Sequence, residues 1–117
     1  MIAKHRVDSS TDLLTNLRQR MGLTVAEFAR VAGLSARTIA AWEAGTELKE
    51  ASRRRLVEIA RLHARLSQAF TSGKGLARWL KTRNQGFGGS QPLQVIERGE
   101  IDRIWRMIYF MESGTPG

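Results

Sequence analysis

Apolar residues recur at helical spacing along almost the whole chain, and the period-2 alternation of a strand is absent. From Ser9, the residues Leu13, Leu14, Leu17 and Met21 line one side of a short helix that Gly22 stops. Thr24, with Glu27 three residues on, forms a capping box for a second helix. Phe28, Ala29 and Ala32 give it an apolar face before Gly33. Ser35 caps a third helix, which buries Ile39 and Trp42 and stops at Gly45. A long helix from about Ala51 to Phe70 follows. It gathers Leu56, Ile59, Leu62, His63, Leu66 and Phe70 on one side and turns Arg54, Glu58, Arg61 and Arg65 away.

The stretch Thr71 to Gly75, TSGKG, breaks that helix and marks a boundary between two modules, expected at residues 9–70 and 74–117. Beyond it, Leu76, Trp79 and Leu80 share a face of a short helix ending near Asn84. Gly86, Gly88 and Gly89 allow a tight turn with Phe87 pinned inward. Pro92 opens a short helix that ends at Gly99. In the last helix Ile101, Ile104, Trp105 and Ile108 cluster on one face. Met107 and Met111 fall at one border, Tyr109 at the other, and Phe110 almost opposite, between Arg103 and Arg106. Adaptable, sulfur-rich apolar surface of this kind suits an interface with another protein or with a second copy of the chain. The fold class is all-α.

Charge narrows the choice of partner. Nineteen Lys and Arg against eleven Asp and Glu give a net +8, shared by both modules, and such an excess favours polyanions, chiefly nucleic acid. The basic run Ser52 to Leu56, SRRRL, opposes the helix dipole at a helix start, which gives a phosphate-contacting role extra weight. The longest apolar run, Met107 to Met111, is far too short for a membrane span, and the first twenty residues lack the apolar block of a signal peptide. With no cysteine there is neither a disulfide nor a thiolate metal site, which fits a cytoplasmic protein.

Catalytic motifs fail on inspection. Gly73-Lys74 is not followed by Ser or Thr, and Gln68 stands where a P-loop needs its first glycine. In Gly86 to Gln91, GFGGSQ, Gln91 takes the place of the third glycine of a dinucleotide fingerprint. His63 sits on an apolar face with no second ligand at metal spacing, and reads as a hydrogen-bonded interior or interface histidine. An enzyme, a cofactor and a metal site are not expected.

Two resemblances give these elements a purpose. Leu17 to Gly45 resembles the Cro/C1-type (Xre) helix-turn-helix family at Leu17, Thr24, Glu27, Phe28, Ala29, Gly33, Ser35, Ile39, Trp42, Glu43 and Gly45. The resemblance implies that the helix opening at Ser35 lies in the major groove. Thr24, Val25, Ser35, Ala36, Arg37, Thr38 and Ala41 would then form the DNA-binding surface. Arg37 and Thr38 would read base edges and Thr24 a phosphate. Val25, Ala36, Ala40 and Ala41 stand where the family often has Gln, Asn or Arg, so direct readout is thin.

Gly75 to Gly114 resembles the toxin-binding domain of the Xre/MbcA/ParS antitoxin family. The matching positions are Trp79-Leu80, Asn84, Gly88-Gly89, Pro92-Leu93, Ile96, Gly99 and Gly114, with Arg83 and Gln94 as departures. This implies a type II antitoxin that neutralises a toxin, a RES-domain, NAD-depleting one, and represses its own operon as a homodimer on operator DNA. Trp79, Asn84, Phe87, Gly88, Gly89, Pro92, Phe110, Met111 and Gly114 would form the toxin-binding surface, and the end of the last helix with the tail Glu112 to Gly117 would obstruct NAD access. Two other classes stay open: a plain regulator whose C-terminal module only dimerises, and a protein-binding inhibitor that has lost DNA binding.

Overall fold

The computed structural model describes residues 13–114. Residues 1–12 and 115–117 lie outside, and with them the Ser9 start of the first expected helix and the Thr115–Gly117 part of the tail. Among the described residues every regular element is helical, and none is long and apolar enough to cross a membrane. In chain order they are α1 (Leu17–Met21), α2 (Val25–Ala32), α3 (Ala36–Glu43), α4 (Glu50–Ser67), α5 (Gly73–Leu80), a 3-10 turn (Gln85–Phe87), α6 (Pro92–Glu97) and α7 (Ile101–Ser113).

Local chemistry explains most of these boundaries. The capping box at Thr24 forms in full: its hydroxyl accepts from the Glu27 N–H at 3.1 Å, and its own N–H donates to the Glu27 carboxylate at 2.8 Å. Ser35 caps α3 by accepting from the Thr38 N–H at 3.0 Å. The continuous first helix expected from Leu13 to Met21 is instead interrupted. Asn16 adopts the left-handed conformation at φ 56°, so α1 begins only at Leu17. The long helix runs from Glu50 to Ser67, stopping one turn short of Phe70 and leaving that ring free to pack on Trp79 with centroids 5.8 Å apart.

The turn at Thr71–Gly75 does not separate two cores. Leu17, Met21, Phe28 and Leu62 from before it join Leu76, Leu80, Phe87, Ile96 and Ile104 from after it in a single buried cluster. Polar ties cross the same joint. The Arg55 guanidinium donates to the Val31 carbonyl at 3.1 and 2.7 Å and to the Ile96 carbonyl at 3.3 Å. It thereby satisfies the exposed ends of α2 and α6 together. Lys81 reaches the Gly22 carbonyl and the Glu27 carboxylate, each at 3.1 Å, and Arg30 pairs with Glu97 at 3.4 Å.

Gly22 lies at the tightest point of this joint. Its φ is +72°, and a Cβ there would lie 2.9 Å from the Ala77 Cβ on α5. Gly22→Ala should therefore destabilise the chain by more than the roughly 1–2 kcal/mol of left-handed strain alone, since two backbones must also move apart. Urea unfolding midpoints of the two proteins check this. An unchanged midpoint would mean that α1 and α5 are not held in contact.

His63 is buried in the same region, against Met21, Ile59, Leu66, Leu80 and Ile96. The hydrogen bond expected of it is missing at Nδ1, which has no partner among the described residues. Burial, with the Arg20 charge as a lesser influence, lowers its pKa below the usual imidazole value. The unfolded chain therefore binds this proton more readily than the folded one. Stability present at neutral pH is lost as pH falls through about 6.5 toward the depressed folded value. In His63→Leu the loss over that interval should shrink, leaving only the carboxylate-driven decline at lower pH. Thermal melts of both proteins from pH 7.5 to 5 measure the difference.

Candidate nucleic-acid and partner surfaces

The sequence-derived DNA surface lies on α2 and α3, which pack against each other, with Phe28 stacked on Trp42 at 6.2 Å and nearly parallel. Arg18 braces the pair from α1, holding the Glu43 carboxylate at 2.9 and 3.2 Å, and the bond raises its own pKa. The capping box already uses the Thr24 N–H and its hydroxyl oxygen, so its hydroxyl proton is what remains to meet a phosphate. The same bond to the Thr24 N–H holds the Glu27 carboxyl below the usual carboxylate range, which keeps Glu27 ionised for Lys81.

On α3, Ser35 donates its hydroxyl proton to the Thr38 hydroxyl at 2.9 Å, and Thr38 is half-buried. Arg37 is exposed and makes no hydrogen bond or ion pair among the described residues. Ala36 and Ala40 are exposed, while Ala41 and, at the head of α2, Val25 are half-buried. Arg37 is thus the long polar side chain that this part of the helix offers.

The C-terminal residues fall into two groups. Asn84, Phe87, Gly88, Gly89 and Pro92 build a closed turn. The Asn84 side chain accepts from the Gly86 N–H at 2.8 Å, and its carbonyl accepts from the Phe87 and Gly89 N–H groups, each at 3.0 Å. Gly88 and Gly89 take φ values of +66° and +89°, open to glycine without strain. Phe87 is buried beneath the Arg103 guanidinium, 5.7 Å from its ring centroid, and Pro92 is buried at the head of α6. Phe87 and Pro92 shape the surface from within, whereas Gly88 and Gly89 are exposed and Asn84 is half-buried.

The second group is open. Trp79, Phe70, Leu66 and Ala69 face Met107, Ile108 and Met111 across an apolar groove of about 320 Å³, with Asn84 also in its wall. An ion pair between Arg65 and Glu112 ties the end of α4 to the end of α7 at its edge. Met111, in the groove wall, Tyr109 and Phe110 are the large apolar side chains that α7 exposes. These three are 62, 67 and 57% exposed, and Gly114 ends the helix in the left-handed conformation. Phe70 and Leu66 were legible only as positions on the apolar side of the long helix, and Met107 only as the border of the last one. Their meeting with Trp79 and Met111 depends on how three helices cross, which periodicity does not encode. Among the described residues no three His, Asp or Glu side chains converge as metal ligands.

Known proteins share this architecture. The HTH_3 helix-turn-helix family model matches residues 14–63. A chain in the crystal structure of the M. tuberculosis MbcT–MbcA toxin–antitoxin complex superposes with a TM-score of 0.72. The overlap covers 90% of this chain and 95% of that one, at 24% sequence identity, so the likeness is one of fold. No curated protein gives a significant sequence match. Residues 14–63 thus match the helix-turn-helix family, and the chain that contains them shares the fold of a chain in that toxin–antitoxin complex.

Proposed function

We propose that this protein is the antitoxin of a type II toxin–antitoxin pair. The helix-turn-helix half, residues 9–70, binds operator DNA as a homodimer and represses the operon, and the half from 74 to 117 holds the toxin. The observation that carries this reading is the fold match to an antitoxin over nearly the full length of both chains. Two features of the surface support it. A basic protein places on its recognition helix an arginine with no partner among the described residues, and at α7 it exposes three large apolar side chains beside an apolar groove. Exposed aromatic and methionine surface has a cost in solubility that a permanent partner removes.

The toxin is of the RES-domain type, and the end of α7 with the following tail obstructs NAD access to it. Of that tail, Thr115 to Gly117 lie outside the described residues. The protein acts in the cytoplasm, uses no cofactor and catalyses nothing itself. Co-expression with the product of the adjacent reading frame tests the pairing. The two proteins should co-purify, and growth arrested by the neighbour alone should be restored. Independent elution of two well-folded proteins would refute it.

A further inference from the structure

The outward face of α3 carries more information than the presence of a DNA-binding helix. On a 100° wheel the buried Ile39 marks the inner side, and the opposite side is centred on Arg37, flanked by Ala41, Ala44 and Ala40. Ala40 and Ala44 are exposed and Ala41 half-buried, so past its first turn this face carries nothing larger than a methyl group. Thr38 adds little to it, being half-buried and hydrogen-bonded twice to Ser35. Glu43, the remaining polar group of the helix, is held by Arg18.

Two consequences follow in the major groove. An arginine with free donors forks onto the O6 and N7 of guanine, the one base edge that accepts both bonds. A row of methyl groups makes no hydrogen bond, lets the helix sit close to the groove floor, and packs favourably on the C5-methyl of thymine. A G·C pair has no such methyl group, so the same face would gain no apolar contact there to offset the polar atoms it leaves unpaired. We infer that the operator half-site is an A·T-rich segment containing a single dominant G·C pair, with Arg37 reading the guanine and the Ala40–Ala41–Ala44 face reading flanking thymine methyls. This rests on the DNA-binding part of the proposed function and specifies the class of sequence it recognises.

The test is a binding-site selection by the full chain from a random duplex pool, followed by affinity measurements on the enriched duplex. One G·C position embedded in A·T pairs should emerge. Arg37→Ala should weaken binding to that duplex about ten- to a hundredfold and erase the preference at the G·C position, leaving the A·T preference in place. Replacing a flanking thymine by deoxyuridine removes only the methyl group and should weaken binding about fourfold per contacted base. Arg37 has no intramolecular partner among the described residues, so a change in binding is not a change in folding. A consensus with several required G·C pairs, or indifference to deoxyuridine, would overturn the inference while leaving DNA binding intact. So would salt-sensitive binding without any sequence preference. Failure to bind any duplex at low salt would overturn the inference and the DNA-binding reading together.

Discussion

Truncation of Phe110 and Met111 to alanine should weaken toxin binding by about 2 kcal/mol or more for the aromatic residue, roughly thirtyfold, with a further loss for the methionine. Both side chains are largely exposed, and the buried face of α7 is formed by Ile104 and Ile108, so the fold does not depend on them. Tyr109 packs edge-on against Phe110 at 5.9 Å and limits the rotamers the anchor must give up on binding. Met111 lies in the wall of the Trp79 groove, so its loss should be felt there as well as at the exposed end of α7. Calorimetric titration of the toxin with each variant, alongside thermal melts, separates binding from folding. Variants that bind and inhibit like the intact protein would remove this end of the chain from the interface. A change in the self-association of the free protein, with toxin binding untouched, would assign the patch to a second copy of the chain.

The second large effect concerns the joint. Ile96 is buried among Met21, Ile59, Leu62, Leu66 and Leu80, residues drawn from both sides of the Thr71–Gly75 turn. Ile96→Ala should lower stability by about 2–5 kcal/mol, and a chain of this size has little to spare. Because one core serves both halves, the variant should unfold in a single transition, and DNA binding and toxin binding should fail over the same range of denaturant. Two separated transitions, with the helix-turn-helix half surviving the first, would show that the halves fold independently. For the same reason a fragment beginning at Lys74 leaves its main packing partners behind and should not fold alone.

What the sequence made legible was mostly local. The Thr24–Glu27 box, the Ser35 cap and the left-handed Gly33 are determined within a few residues, and each forms as its spacing implies. The inward turn of Phe87 and the outward turn of Phe110 followed from glycine placement and helical period. The interruption at Asn16 did not, because asparagine is tolerated in the left-handed region without requiring it. The ties across the joint were hidden for a different reason. Arg55 read as one of three equivalent arginines with a possible phosphate role, yet it caps two helix ends that lie far away along the chain. Lys81 on Glu27, and Ala77 against Gly22, are likewise contacts between segments more than fifty residues apart. No periodic pattern contains them.

The site was legible to a corresponding degree. Arg37 emerged from its register on α3, whereas the engagement of Thr38 by Ser35 depends on a hydroxyl pair that spacing does not reveal. Trp79 and Met111 were identified separately, and only the crossing of α4, α5 and α7 shows that they share a groove. Asn84 and Pro92 were singled out by the family resemblance and Phe87 by the glycines around it, and the structure brings Asn84 and Phe87 into one turn with Pro92 just beyond it.

The most direct measurement is a titration of the purified neighbouring toxin with this protein while its consumption of NAD is followed. NAD loss should fall to background once the two proteins reach their binding stoichiometry, and Phe110→Ala should shift the curve to higher concentration. A complex that forms and leaves NAD consumption undiminished would contradict occlusion, and a toxin whose activity is unaffected because no complex forms would contradict the antitoxin reading itself.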